Sequence, residues 1–251
     1  TIKGSDTMVH LVTGWAEAYM KAHPEAEISV TGGGSGTGIA AMINGTTGLC
    51  MASREVKSRE EEQAKSRGIR FHEITVARDG IAVVVNPQNA VSELTLDQLR
   101  QVFNGTLQSW SQIGGVEQAI QILSRESNSG TYVFFNEHVL QKDDYGPKVR
   151  LMPSNAAIVQ SVGQDRWSIG YVGLGYAQGA PVKVIQVKPD PSSPAVQPSL
   201  ATVRDRSYPI ARPLYLYSNG EPSGLARAFA DFALSAEGQG IVREIGYIPL
   251  R

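Results

Sequence analysis

The run Ile81-Ala82-Val83-Val84-Val85 constrains the fold of this chain more than any other stretch. It is unbroken by polar residues, rich in β-branched side chains, and bounded by Gly80 and Asn86-Pro87. A strand with one wet face would alternate apolar and polar residues; this one reads as a strand buried on both faces. Strand-like and helix-like segments alternate around it, and that alternation points to an α/β fold.

Upstream, Met8, Leu11, Val12, Trp15 and Tyr19 fall on one helical face, and Pro24 ends that helix. Residues 27–31 alternate like a strand. A short helix is expected over 38–43, a strand over 49–53, and a charged, solvated helix over 56–67 closed by Gly68. Downstream, residues 92–103 read as a helix with Thr95 as N-cap and Asp97 in the first turn. Strands are expected over 120–123, 168–172 and 214–217. Helices are expected through Phe134, Phe135 and Leu140, over 155–162 behind Ser154, and over 225–234. Residues 189–213 hold six prolines. They are expected to form neither a regular helix nor a central strand, but a surface excursion or interdomain link. Trp15, Trp110 and Trp167 read as packing residues.

A chain of 251 residues suits one large domain or two ordinary ones. Its 23 basic and 24 acidic residues argue against a general nucleic-acid binder, yet leave room for a local anion site. Cys50 stands alone in an apolar setting and reads as a small buried hydrophobe. The four histidines, His10, His23, His72 and His138, show no metal-ligand spacing, so neither a metal nor a cofactor is expected. No run reaches the roughly 18 apolar residues needed to span a bilayer. Thr1 in place of an initiator Met fits a chain whose leader is removed on export.

Gly32-Gly33-Gly34-Ser35-Gly36-Thr37-Gly38 matches no familiar glycine motif. No Lys follows, as a P-loop requires. Thr37 stands where a dinucleotide fingerprint or a nucleophile elbow requires Gly. What remains is a strand, a bare loop and a helix start. Helix N-termini carry unpaired amides and partial positive charge, so such a loop suits an anion. The plainer alternative is a flexible turn with an ordinary Ser N-cap. The same construction recurs at Gly4-Ser5-Asp6-Thr7 and at Ser124-Arg125-Glu126-Ser127-Asn128-Ser129-Gly130-Thr131. Arg125 brings a planar fork suited to paired oxygens, or else a weak surface pair with Glu126.

"GSDTM", "GGGSGTGIAAM", "MASREVK" and "SRESNSGTYVFF", in that order, resemble the ligand loops of the phosphate-binding proteins of bacterial phosphate ABC transporters, the PstS type. "LTLDQLRQVFNGTLQSWSQIGG", "SIGYVGLGYA" and "GYIPL" extend the resemblance over nearly the whole chain. Each motif is weak alone; their order and spacing together are specific. The resemblance implies a two-lobe periplasmic-binding-protein fold of type II, with the ligand in the cleft between lobes. Lobe I would be 1–78 plus 208–251, and lobe II 79–207. Phosphate would be held by Thr7, Met8, Ser35, Gly36, Thr37, Ser53, Arg54, Arg125, Ser129, Gly130 and Thr131. The implied partners are inorganic phosphate and a membrane permease, with no nucleic acid. The implied state is a monomer in the periplasm or a lipoprotein at the cell surface.

Two positions depart from the family pattern. Some members carry Asp where this chain has Arg54; that Asp accepts the proton of hydrogen phosphate and so rejects sulfate. Asp6 is the candidate to take over as proton acceptor, the alternative being N-capping of the first helix. Arg54 either adds a second cation or pairs with a surface Glu. Some relatives also carry Asp where this chain has Ser127. Three other functions stand beside phosphate capture: binding of sulfate, molybdate or another tetrahedral oxyanion, a Ser-dependent phosphohydrolase, and a sensor or surface protein that keeps the lobes for signalling. The hydrolase lacks a nucleophile elbow, a His near the loops and a carboxylate cluster, so no enzyme activity is expected.

Overall fold

The structure, a computed structural model, describes residues 1–250 and separates into two α/β units. The first comprises Thr1–Arg78, Asn128–Gly130 and the chain from Arg212 onward. It opens with β1 (Ile2–Gly4), α1 (Val9–Ala22), β2 (Val30–Thr31), α2 (Ser35–Ile43), β3 (Leu49–Ala52) and α3 (Ser58–Ser66). β4 (Phe71–Val85) then leaves the first unit after Arg78 and enters the second. The second unit carries β5 (Glu93–Thr95), α4 (Leu96–Phe103), β6 (Gln121–Arg125), α5 (Gly130–His138) from Thr131 on, β7 (Arg150–Met152) and α6 (Asn155–Gln164). It continues through β8 (Ser168–Gly173), α7 (Leu174–Ala177), β9 (Lys183–Val184), β10 (Gln186–Lys188) and α8 (Leu200–Arg204). The chain returns to the first unit through β11 (Ala211–Asn219), α9 (Gly224–Leu234) and α10 (Ala236–Ile245).

Period-two alternation builds the first unit. Its strands run β2-β1-β3-β11-β4, with β2, β1 and β3 parallel and β11 antiparallel to β3. Leu49, Met51, Leu214 and Leu216 face one core, where the predicted stripe of α1 meets α9 and α10. Cys50, Ala52, Tyr215 and Tyr217 face the other, under Ile39, Met42 and Ala64 of α2 and α3. Successive strand residues point to opposite faces, so both faces are apolar here because both are covered by helices. Trp15 is fully buried; its ring meets Phe229 edge-on at 6.5 Å, and its Nε1 donates to Gly238 O at 2.8 Å. That bond satisfies the one polar atom of an otherwise apolar payload. Cys50 is buried and free, and burial pushes its thiol up to about 12.

The Ile81–Val85 run lies in the middle of the second unit's sheet. It pairs antiparallel with β8, from Ile81↔Gly173 to Val85↔Ile169, and Val84 pairs on its other side with Val184 of β9. β6 lies parallel to both β8 and β7. All five side chains of the run are fully buried. Each Ile or Val so placed contributes about 1.5–3 kcal/mol relative to exposure. Thr95 caps α4 as expected, in a reciprocal box with Gln98: the Gln98 amide donates to Thr95 Oγ1 at 3.1 Å, and the Thr95 amide to Gln98 Oε1 at 2.9 Å. Ser154 accepts from the Ala157 amide at 3.0 Å and caps α6.

Four expectations needed adjustment. The helix expected from 92 starts only at Leu96, because Glu93–Thr95 form β5, paired parallel with β10. The strand over 27–31 shrinks to Val30–Thr31, because it is an edge strand whose register with β1 covers two residues. The helix expected from 38 begins at Ser35, since Gly34 at φ 112° is its last non-helical residue. The proline-rich stretch contains α8, between Pro198 and Pro209, closed by a box of Ser199 and Thr202. It also supplies the start of β11, where Pro213 is exposed just ahead of the residues paired with β3. No helix of the described residues is long and apolar enough to cross a membrane.

Candidate functional site

In the first unit, three neighbouring parallel strands end side by side, and each opens into one of the loops singled out from the sequence. β1 leads to Ser5, β2 to the glycine run, and β3 to Ser53. Ends of parallel strands beside helix starts are where α/β sheets present their ligand loops. Ser5 N donates to Met51 O at 2.8 Å and Gly34 N to Gly4 O at 2.9 Å, so the loops are tied to each other's strands.

The glycine run answers a packing problem. A Cβ on Gly38 would lie 2.5 Å from Gly4 Cα and Lys3 O, so α2 rests directly on the backbone of β1. Gly34 adopts φ 112°, a left-handed conformation, and a Cβ there would lie 2.6 Å from Asn128 O. The run thus lets the N-terminus of α2, the end of β1 and the Asn128–Gly130 segment approach at backbone distance.

Where they meet, three serines form a buried hydroxyl cluster. Ser5 Oγ donates to Ser53 Oγ at 2.9 Å, Ser35 Oγ lies 3.3 Å from Ser53 Oγ, and Ser53 N donates to Ser35 Oγ at 3.0 Å. All three are 2% exposed or less. Each hydroxyl carries one hydrogen. The Ser35–Ser53 contact uses only one of their two, so the other needs an acceptor outside the trio. Gly130 lies against them: a Cβ there would fall 2.2 Å from Ser35 Oγ and 2.6 Å from Ser53 Oγ. Gly130 is also the first residue of α5. The first amides of a helix have no acceptor within it.

The other expected residues of this unit take varied places. Ser129 is buried within the same Asn128–Gly130 segment. Thr7 is buried, and its carbonyl accepts from Tyr247 Oη at 2.7 Å. The Met8 amide closes a 3-10 turn on Ser5 O at 3.1 Å, and its side chain lies in the core. The Gly36 amide donates to Asn128 O at 3.0 Å, and Thr37 Oγ1 turns back to Gly33 O at 3.0 Å. Asp6 sits in the 3-10 turn, with its Cα 3.9 Å from the Cβ position of Gly32. α1 starts only at Val9 behind Met8, so Asp6 is not its N-cap.

Arg54 pairs with a Glu. Its Nη1 and Nη2 each donate to a Glu60 carboxylate oxygen at 2.8 Å, and Nη1 also donates to Glu55 O at 2.8 Å. The guanidinium is 7% exposed, and Nη2 lies 3.7 Å from the Cβ position of Gly36. Burial alone would raise the Glu60 carboxyl, but hydrogen bonds from Arg54 and the Lys57 amide hold it below its usual value. The cation therefore reaches the glycine loop already matched by a carboxylate.

In the second unit, Arg125 ends β6 and is 2% exposed, with Nη2 donating to Pro153 O at 3.1 Å. Thr131 is fully buried in the first turn of α5. Two residues escaped the sequence. Ser5 lay inside a quoted loop without being singled out. Arg212, 2% exposed, donates from Nη1 to Ser53 O at 3.1 Å. It stands between Pro209 and Pro213, where no periodic pattern flags a buried position.

An α/β chain whose parallel strands end in hydroxyl- and amide-lined loops has the architecture of a solute-binding protein. The model of the PBP superfamily domain matches residues 1–237, and the chain belongs to that superfamily. It is 33% identical to the phosphate-binding protein PstS of Pseudomonas aeruginosa, over 98% of this chain and 81% of that protein. It is 31% identical to PstS of Bacillus subtilis, over 100% and 80%. Among solved structures, a Clostridium perfringens protein assigned as a phosphate ABC transporter substrate-binding protein, with phosphate bound, superposes with a TM-score of 0.90 at 29% identity. That match covers 100% of this chain and 98% of the other. An ABC-type phosphate transport receptor from Vibrio cholerae gives 0.79 at 28% identity, over 98% of each chain. The type II periplasmic-binding-protein fold expected from the sequence is the fold these neighbours share.

Proposed function

We propose that this chain binds inorganic phosphate outside the cytoplasm and hands it to the permease of an ABC importer. The observation that carries this is the Ser5–Ser53–Ser35 cluster with Gly130 against it, in a chain whose relatives across its whole length are phosphate-binding proteins. Helix-start amides and hydroxyls replace the water around a compact dianion without bringing a bulky side chain near it. Arg125 adds a formal charge and a planar fork. Ser35, Ser53, Ser129, Gly130 and Thr131, with Arg125, Thr7, Asp6 and the helix-start amides, form the binding set. Arg54 contributes through its neutral pair with Glu60. In this reading lobe I spans 1–78 plus 208–251 and lobe II spans 79–207. The chain works as a monomer in the periplasm or as a surface lipoprotein, and transforms nothing.

Titration calorimetry with phosphate, sulfate and molybdate tests this directly. Saturable heat with phosphate is expected. Saturation by sulfate or molybdate without phosphate would replace the ligand while keeping the fold. Steady release of phosphate from a phosphomonoester would replace the carrier with a hydrolase.

A further inference from the structure

We propose that Tyr171 and Tyr145 form a positioning pair that holds both ends of the loop from Ser124 to Tyr132. Tyr171 lies in β8, fully buried, its ring stacked on Phe135 of α5 at 4.0 Å and 10°. Its hydroxyl lies 2.6 Å from Ser124 Oγ and 2.8 Å from Tyr145 Oη. Tyr145 Oη donates to Tyr132 O at 3.0 Å, and the two rings of that pair stack at 4.4 Å.

Counting hydrogens fixes the direction of this chain. A phenol carries one hydrogen, and a carbonyl carries none. The Tyr145 hydrogen goes to Tyr132 O, so Tyr145 must accept from Tyr171. The Tyr171 hydrogen is thereby used, so its oxygen must accept from Ser124 Oγ. The order is then Ser124 O–H to Tyr171, Tyr171 to Tyr145, and Tyr145 to the first turn of α5. One side of the loop, at Ser124, and the other, at Tyr132, are joined through two rigid rings rather than through the loop itself. The effect is to keep the loop in its binding shape before the anion arrives, which lowers the ordering cost of binding. Burial pushes the Tyr171 hydroxyl up to about 12, so the chain keeps its protons throughout the neutral range.

This rests on phosphate being the ligand, and the test separates the two. Tyr171→Phe keeps the stacked ring and removes the oxygen. Calorimetry should show phosphate binding weakened about tenfold, the effect of leaving a buried donor without its acceptor. Hydrogen exchange of the ligand-free protein should show faster exchange confined to the amides of 125–132. A merely structural tyrosine would lower the melting temperature while leaving phosphate affinity within about twofold and the local exchange unchanged; that outcome overturns the proposal. Should Tyr171→Phe fail to fold, Tyr145→Phe breaks the same chain at its less buried end and is judged by the same two readouts. Should the wild-type protein take up no phosphate, the ligand assignment falls, and the confined exchange alone decides the positioning role.

Discussion

Gly130 shows how little space the site leaves. Its missing side chain is what lets the Asn128–Gly130 segment lie on the Ser35 and Ser53 hydroxyls, since a Cβ would overlap Ser35 Oγ at 2.2 Å. Serine is too short to swing away. We predict that Gly130→Ala weakens phosphate binding at least tenfold, about 1.4 kcal/mol or more, measured by calorimetry; an unchanged affinity would show that the segment is not at the ligand. Asp6 poses the selectivity question. No carboxylate follows Ser53, because Arg54 occupies that place and is matched by Glu60. If Asp6 accepts the proton of hydrogen phosphate, Asp6→Asn narrows the gap between phosphate and sulfate affinity. The ratio of the two binding constants measures it, and an unaltered ratio removes Asp6 from that role. At this scale the resemblance named Ser35, Ser53 and Gly130, residues that lie against one another in the fold. It missed Ser5 and Arg212, whose contacts with Ser53 span 48 and 159 residues of chain. No local pattern reports a contact of that separation.

At the scale of elements, the α3 start is where charge and capping combine. Glu60 accepts from the Lys57 amide at 2.8 Å while holding Arg54. Its carboxyl is lower in the folded chain than in the unfolded one, so the pair stabilises the fold at pH values above the unfolded carboxyl range. That contribution is lost as pH falls through the depressed folded value. Urea midpoints of wild type and Glu60→Gln should therefore differ most near neutrality and converge as pH falls below about 4.5, the ordinary value of the group. A gap that stays constant with pH would mean that the charge is not what matters. Elements with a strong periodic or capping signal, such as α1, α4 and the 81–85 run, were legible in the sequence. α8 was not, because a five-residue helix leaves too short a pattern to read, and the strand read over 27–31 keeps only the two residues of β2 because its edge register with β1 is that short.

For the whole molecule, Cys50 offers a reporter. It sits at the centre of β3, fully buried, with a thiol pushed up to about 12 by burial. At pH 8 an aromatic disulfide reagent should leave the folded protein unlabelled and label it fully in denaturant. Since a ligand bound only to the folded state stabilises it by about 2.7 kcal/mol at a hundredfold excess over Kd, phosphate should slow labelling under mildly denaturing conditions. Rapid labelling of the native protein would mean that β3 opens locally.

Periodicity, caps and turn residues act over a few positions, and they were enough to set most helices and strands and the α/β class. Two of the three serines sit in stretches that read as anion loops for the same local reason: small residues before a helix start. Which loops share one cluster depends on strand order. β1 lies between β2 and β3 and brings Ser5, Ser35 and Ser53 together. β11 returns from the far end of the chain to lie beside β3 and sets Arg212 on Ser53. Strand order is settled by packing both faces of the sheet at once, a property of the folded whole that no short window of sequence contains.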